Sequence, residues 1–318
     1  MDRNLALELV RVTEAAALAA ARWMGKGNAP AADQAAVRAM HHTLNAVNFR
    51  GTIVLGEGNH DDATMLFHGE EIGTGDSDDL DVALDALESN RSVAFGRSNA
   101  MAVVALVPKG DITVPADAYM EKIAVGDEAA DAVDLNLPIR ENLHRVAEAK
   151  KYSINDLTVV VLDRARNAEL IAEIRATGAR LHLIPDGDIA AAIAAAMPGS
   201  GIDVLAGSGK AYAGVLAAAA LRCIGGEILS RLIPANPDGD SYVKNVEGTD
   251  SRRVYRARDL VRGNNVMFVA TGVTDGEMLN GVRYRKDGAT THSLVLRSLS
   301  RTRRFIVTEH FFHDNPQY

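Results

Sequence analysis

The acidic residues of this sequence gather at the ends of expected elements. Glu57 stands just past an expected strand, in Gly56-Glu57-Gly58. Asp85 and Glu88 lie in Leu80-Asp81-Val82-Ala83-Leu84-Asp85-Ala86-Leu87-Glu88, an apolar-alternating run that reads as a strand entering a turn. Asp33 opens an expected helix. Carboxylates on strand ends and adjacent turns suit Mg²⁺ or Mn²⁺, which prefer oxygen ligands. Two such ions ~3.5–4 Å apart activate water and hold phosphate oxygens. The same residues also read as caps and surface acids, because acids are common in turns. Spacing alone favours that plainer account.

The elements that must position these residues follow from periodicity. A first helix, capped by Asp2, carries Leu5, Leu9, Val12 and Ala16 on one face and ends near Gly25 and Gly27. A second runs from about Asp33 to Ala46, with Val37, Met40 and Leu44 inward. Gly51 to Leu55 reads as a buried strand that stops where Gly56 and Gly58 permit a tight turn. Met101 to Val107 is the next clear strand. Leu157–Leu162, Asn167–Thr177 and Leu181–Ile184 make a βαβ unit closed at Gly178, which predicts a parallel sheet. Helices at Ile189–Met197 and Ala211–Leu221 flank a strand at Ile202–Leu205. Strands at Val266–Ala270, Val282–Arg285, Ser293–Arg297 and near Phe305–Thr308 complete the chain, with a hairpin signal at Asp287-Gly288. The weakest point is near Glu148–Tyr152. It divides the chain into an α+β part, 1–150, and an α/β part, 151–318, expected to meet across a cleft.

Composition narrows the class. The 318 residues are 47% hydrophobic and 24% charged, as in an ordinary globular protein. A net charge of -8 argues against general nucleic-acid binding, which needs a basic surface. The single cysteine, Cys223, rules out an internal disulfide and a thiolate metal cage, and reads as a buried thiol. Trp23, Met24, Phe49 and Met65 read as core. No apolar run reaches the ~18 residues of a membrane span, and the start does not look like a signal peptide. A cytoplasmic location follows as the default.

Ordered motifs then accumulate: Gly56-Glu57-Gly58-Asn59-His60-Asp61-Asp62-Ala63, Asp85-Ala86-Leu87-Glu88-Ser89-Asn90, Tyr119-Met120-Glu121-Lys122-Ile123-Ala124-Val125-Gly126, Leu162-Asp163-Arg164-Ala165-Arg166 and Ile184-Pro185-Asp186-Gly187-Asp188. Ala270-Thr271-Gly272-Val273-Thr274-Asp275-Gly276 and Gly288-Ala289-Thr290-Thr291-His292-Ser293 complete the set. Together they resemble the class II fructose-1,6-bisphosphatases, relatives of the lithium-sensitive sugar and inositol phosphatases, from Asp2 to about His310. The resemblance implies a layered α-β-α-β-α fold, a cofactor of Mg²⁺ or Mn²⁺, and a homo-oligomer. It matches Asp33, Glu57, Asp85 and Glu88 to metal ligands. It matches Tyr119, Arg164, Arg166, Asp186 and Asp188 to substrate-binding positions. Arginine offers a bidentate fork for phosphate, and aspartate accepts from sugar hydroxyls. Without the resemblance, Asp186-Gly187-Asp188 reads as a turn with a helix cap, and the two arginines as a solvated pair.

Departures from the family pattern cluster at the same places. Asn90 replaces the threonine that orients the attacking water. Ser89 and Ala86 replace glycine and proline. Asn59-His60 replaces an acidic and apolar pair. Gly207-Ser208-Gly209-Lys210-Ala211-Tyr212-Ala213-Gly214 stands where the family has Gly-Ile-Gly-Gly-Ala-Pro-Glu-Gly, so Ala213 replaces a metal-binding glutamate. Lys210 either replaces part of the lost metal charge on the substrate phosphate or is a surface lysine, and the second is the stronger account. His60 reads as a general acid, a ligand or polar surface, with polar surface ahead; His41, His42 and His292 are weighed the same way. The leading expectation is a metal-dependent phosphatase of fructose-1,6-bisphosphate or a related ketose or cyclitol phosphate. Asp85, Glu57, Asn90 and Lys210 are its candidate catalytic residues. The competing expectation is a homologue that binds sugar phosphate as a sensor or subunit with little hydrolysis, or does other chemistry on a phosphosugar. The retained carboxylates favour the first.

Overall fold

The computed structural model of the chain describes residues 1, 4–61, 63–75, 79–113, 118–233 and 252–312. Their order is α1 (Leu5–Ala21), α2 (Ala29–Leu44), β1 (Arg50–Leu55), β2 (Glu71–Ile72), β3 (Asp79–Glu88), α3 (Asn90–Phe95), β4 (Met101–Pro108), β5 (Tyr119–Val125), α4 (Ile139–Lys150), β6 (Thr158–Leu162), α5 (Ala168–Thr177) and β7 (Arg180–Ile184). Then come α6 (Asp188–Ala195), β8 (Val204–Lys210), α7 (Ala211–Ile224), β9 (Glu227–Ile233), β10 (Val254–Arg256), α8 (Ala257–Leu260), β11 (Met267–Gly272), β12 (Arg283–Arg285), β13 (Gly288–Arg297) and β14 (Thr302–Phe311). The cap expected at Asp2 lies outside the described residues, and Asn4 holds the N-cap position of α1. The second helix starts earlier than expected: Asn28 accepts from the Ala31 N–H at 3.1 Å, so Asn28 caps α2 and Asp33 lies inside it. Among the described residues no helix is long and apolar enough to cross a membrane.

The chain forms two compact units, Met1–Ile112 with Gly263–Tyr318, and Thr113–Arg262. This corrects the division expected near residue 150. Strand β5 hydrogen-bonds between β8 and β9, pairing Tyr119 with Lys210 and with Ile233, so residues 119–150 belong to the second unit. The C-terminal strands return to the first, where Phe268 pairs with Ala105. Composition along the chain cannot register pairings between residues so far apart in sequence.

The first unit is built on an eight-stranded mixed sheet, β12-β13-β11-β4-β3-β1-β2, with β14 on β13. Helices α1 and α2 bury Leu9, Val12, Ala16, Met40 and Leu44 against Phe49, Val82, Leu84, Val104 and Val269. Phe49 is fully buried; Trp23, Met24 and Met65 are partly buried against this core. Burying side chains of this size contributes about 1.5–3 kcal/mol each. Central strand β3 is buried on both faces from Leu80 to Leu84, which overrides the alternation its sequence suggests.

The second unit holds a six-stranded sheet, β10-β9-β5-β8-β6-β7. The parallel sheet expected from the βαβ pattern is confined to β7-β6-β8; β5 runs antiparallel to both neighbours, as does β10 to β9. Helices α4 and α5 pack Leu143, Val146, Ile171 and Ile174 on one face over Ile123, Val125 and Val161. On the other face Gly214 of α7 approaches Met120 and Lys122. Because β6, β7 and β8 are parallel, their carboxyl ends at Leu162, Ile184 and Lys210 lie at one edge of the sheet, the usual place for a site in such a sheet.

Candidate active site

In the first unit, α2, the turn after β1 and the start of α3 bring together Asp33, Glu57 and Asn90. A Cβ on Gly56 would collide with the Leu66 carbonyl, so glycine there lets the chain turn and present Glu57. Glu57 Oε1 accepts from the Ala86 N–H on β3 at 3.0 Å. The Asn90 amide donates to Asp33 Oδ1 at 3.3 Å. Burial first, and then the nearby Asp33 charge, push the Glu57 carboxyl up to about 7, against the Ala86 hydrogen bond. Burial also raises the Asp33 carboxyl, against the Asn90 hydrogen bond. Two carboxyl groups are thus drawn out of water, and among the described residues the donors that offset the cost, Asn90 and the Ala86 N–H, are neutral.

Strand β3 contributes the other two acids. Its pairing with β4 runs regularly to Asp85–Val103, then skips to Glu88–Met101, so β3 holds one extra residue there. This is a β-bulge, a device that re-aims side chains. Ala86 and Leu87, adjacent in sequence, both join the core under the helices. Asp85 Oδ1 accepts from the Leu87 N–H at 3.1 Å, and Glu88 is only 4% exposed. Next, Ser89 holds φ 68°, the left-handed region, where the family pattern has glycine. Among the described residues no three His, Cys, Asp or Glu side chains lie close enough together to hold a metal ion. The Asp33–Glu57 conflict is what a divalent cation would relieve, so this donor chemistry fits Mg²⁺ or Mn²⁺.

The second unit gathers its candidates at the carboxyl edge of β6, β7 and β8. Asp186 follows β7, and its Oδ1 accepts from the Gly187 N–H at 3.2 Å. Gly187, at φ 91°, makes the turn into α6, whose first residue is Asp188. Burial raises the Asp186 carboxyl first, and Asp188 adds to it; Arg164 and Lys210 pull it back. Asp188 meets the buried ammonium of Lys122, and Lys122 Nζ also donates to the Lys210 carbonyl at 3.2 Å. Arg166 Nε donates to the Ser208 carbonyl at 3.1 Å, and its guanidinium lies 5.1 Å from the centroid of the Tyr119 ring. Arg166 is therefore not the solvated residue of the plainer account, being pinned to β8 and Tyr119; Arg164 donates to the Asp163 carbonyl at 3.2 Å in an exposed contact, and its charge acts on Asp186.

The remaining candidates sort out simply. Lys210 is exposed and lies over the Tyr212 ring, near enough to act on Asp186. Ala213 is a buried methyl in the first turn of α7. His60 is 80% exposed, with Asp61 at 3.8 Å and the Phe67 ring beside it, as polar surface would be. His41 bonds to Glu70 at 2.8 Å, and His292 to Asn280 at 3.2 Å. Cys223 is a buried thiol on the Ala219 carbonyl. Lys122 carries a contact that the sequence reading gave no role. Its signal is a lysine between Met120 and Ala124 on the inward face of a strand.

The family model described as bacterial fructose-1,6-bisphosphatase, glpX-encoded, matches residues 3–310. A D-fructose 1,6-bisphosphatase class 2/sedoheptulose 1,7-bisphosphatase of Synechococcus sp. (strain JA-3-3Ab) is 44% identical, covering 98% of this chain and 96% of its own. The fructose-1,6-bisphosphatase 1 class 2 of Escherichia coli (strain K12) is 43% identical with the same coverage.

Proposed function

Because this chain belongs to the bacterial, glpX-encoded fructose-1,6-bisphosphatase family, we infer that it is a sugar-bisphosphate phosphatase, hydrolysing a phosphate monoester. Fructose-1,6-bisphosphate and sedoheptulose 1,7-bisphosphate, the substrates in its relatives' names, are the first candidates, and related ketose or cyclitol phosphates the next. The observation that carries the reading is the Asp33–Glu57 pair, two partly desolvated carboxyl groups whose joint ionisation is disfavoured here and would be favoured by a cation held between them.

The family resemblance, together with these contacts, supports the following roles. The resemblance assigns Asp33, Glu57, Asp85 and Glu88 to Mg²⁺ or Mn²⁺; of these, the Asp33–Glu57 pair is the part that already lies together here. When bound, such an ion acidifies water and neutralises charge on phosphate oxygens. Asn90, tethered to Asp33, orients the attacking water through its amide. Arg164 and Lys210 hold an anionic group, and Asp186 and Asp188 accept from sugar hydroxyls. Arg166 fixes the Tyr119 ring as one wall. The protein works in the cytoplasm, as a homo-oligomer.

The test is phosphate release from a panel of sugar phosphates, with and without Mg²⁺ or Mn²⁺, beside Asp85→Ala. Metal-dependent release that Asp85→Ala abolishes supports the reading, and the best substrate names the specificity. A second reading rests on Ala213, whose methyl offers no oxygen where the family pattern has a glutamate. Calorimetric binding of a sugar phosphate with no release from any compound would select that one, a binding protein on a phosphatase scaffold.

A further inference from the structure

Lys122 is 3% exposed, and a lysine is almost never buried without a partner. Its ammonium meets Asp188 Oδ2 and the Lys210 carbonyl. Burying such a pair costs desolvation that its mutual attraction barely repays, so its presence is weak evidence of a purely stabilising role. The surroundings are cut to fit it. A Cβ on Gly209 would stand against Asp188 Oδ2 and 2.9 Å from Lys122 Nζ, and a Cβ on Gly214 would lie 3.4 Å from Lys122 Cδ. Two glycines thus leave room for one ion pair.

We propose that Lys122 is a positioning residue for substrate: it holds one oxygen of Asp188 and the main chain of Lys210, so that both side chains meet the sugar phosphate from fixed positions. It touches no reacting atom. The proposal rests on the sugar-phosphate reading above and deepens it. A carboxylate anchored through Oδ2 presents Oδ1 in one orientation, and a group already in place loses less entropy on binding. The effect belongs to substrate capture, so it falls on KM and leaves kcat nearly unchanged.

The experiment compares Lys122→Met, Asp188→Asn, the double variant and Gly209→Ala, with melting temperature, KM and kcat for the best sugar bisphosphate. Lys122→Met is expected to raise KM about tenfold, with kcat within about threefold. The double variant is expected to be no worse than Asp188→Asn, because the two residues act as a unit. If Lys122→Met does not fold, Gly209→Ala gives the reading, since its methyl displaces the pair without changing any charge. A folded Lys122→Met, or Gly209→Ala in its place, with unchanged KM overturns the proposal, and so does additivity in the double variant. These failures occur with a wild type that releases phosphate, so they leave the phosphatase reading standing. A wild type that binds the bisphosphate without releasing phosphate sinks that reading instead. The positioning role is then read from the calorimetric Kd, expected to rise about tenfold in Lys122→Met. A wild type that neither binds nor hydrolyses overturns both.

Discussion

The two units solve the problem of buried acids in opposite ways. In the first, Asp33 and Glu57 crowd each other, and the groups that offset their burial are neutral, the Asn90 amide and the Ala86 N–H. In the second, Asp186 has Arg164 and Lys210 beside it, and Asp188 has Lys122. On the proposed function, the first cluster is the one that a cation from solution would complete. The second carries its own cations, in Lys122, Arg164 and Lys210. Acids left in conflict suit metal binding; acids already matched suit recognition of a neutral hydroxyl array and its attached phosphate.

The largest way to break this contrast is at β3. Asp85→Ala is expected to lower kcat about 10²–10³-fold while sugar phosphate binding persists, checked by phosphate release and calorimetry. An equal loss of binding would mean that the units do not divide the work. Asp186→Asn is expected to act the other way, raising KM about tenfold or more with a smaller change in kcat, read from steady-state kinetics. Lys210→Ala comes next, with an expected rise in KM of about threefold to tenfold, because an exposed lysine is screened by water. Unchanged affinity and turnover there would return Lys210 to the surface-lysine account.

Two smaller effects concern stability in the first unit. Ser89 is strained at φ 68°, and its buried hydroxyl has no hydrogen-bond partner among the described residues. Ser89→Gly is expected to stabilise the protein by about 1 kcal/mol, measured by denaturant or thermal unfolding. His310 sits beside Thr291, at 2.9 Å, and Glu14, at 3.9 Å; burial holds its imidazole below the ordinary 6.5, against the pull of Glu14. The folded state therefore binds fewer protons than the unfolded one as pH falls past 6.5. Its contribution is complete above that pH and is lost below it, down through the folded value. His310→Gln is expected to flatten the acid side of the stability profile in that window, measured by unfolding at stepped pH.

Much of this was legible in the residues. The βαβ unit from 157 to 184 and the strand at 101–107 follow from periodicity, because their side chains pack locally in register with their own backbone. The ordered motifs, through the family resemblance, also mark the four acids and the five candidate substrate-binding positions. What escaped the sequence was the company those residues keep. Asp33 was expected to open a helix, yet it lies inside α2 beside Glu57. Arg166, matched by resemblance to a substrate-binding position and solvated only on the plainer account, is tied to Ser208 and Tyr119. Lys122 read as one more residue of a motif, yet it is the buried partner of Asp188.

The sequence by itself determined the family, the residue types at each site and most of the elements, since these rest on local pattern and ordered motifs. Only the tertiary structure decided where the units divide, which acids are crowded and which are matched with cations. Those depend on strand pairings such as Tyr119 with Lys210 and on burial. Both are set by contacts between residues far apart in the chain, and no local pattern encodes them.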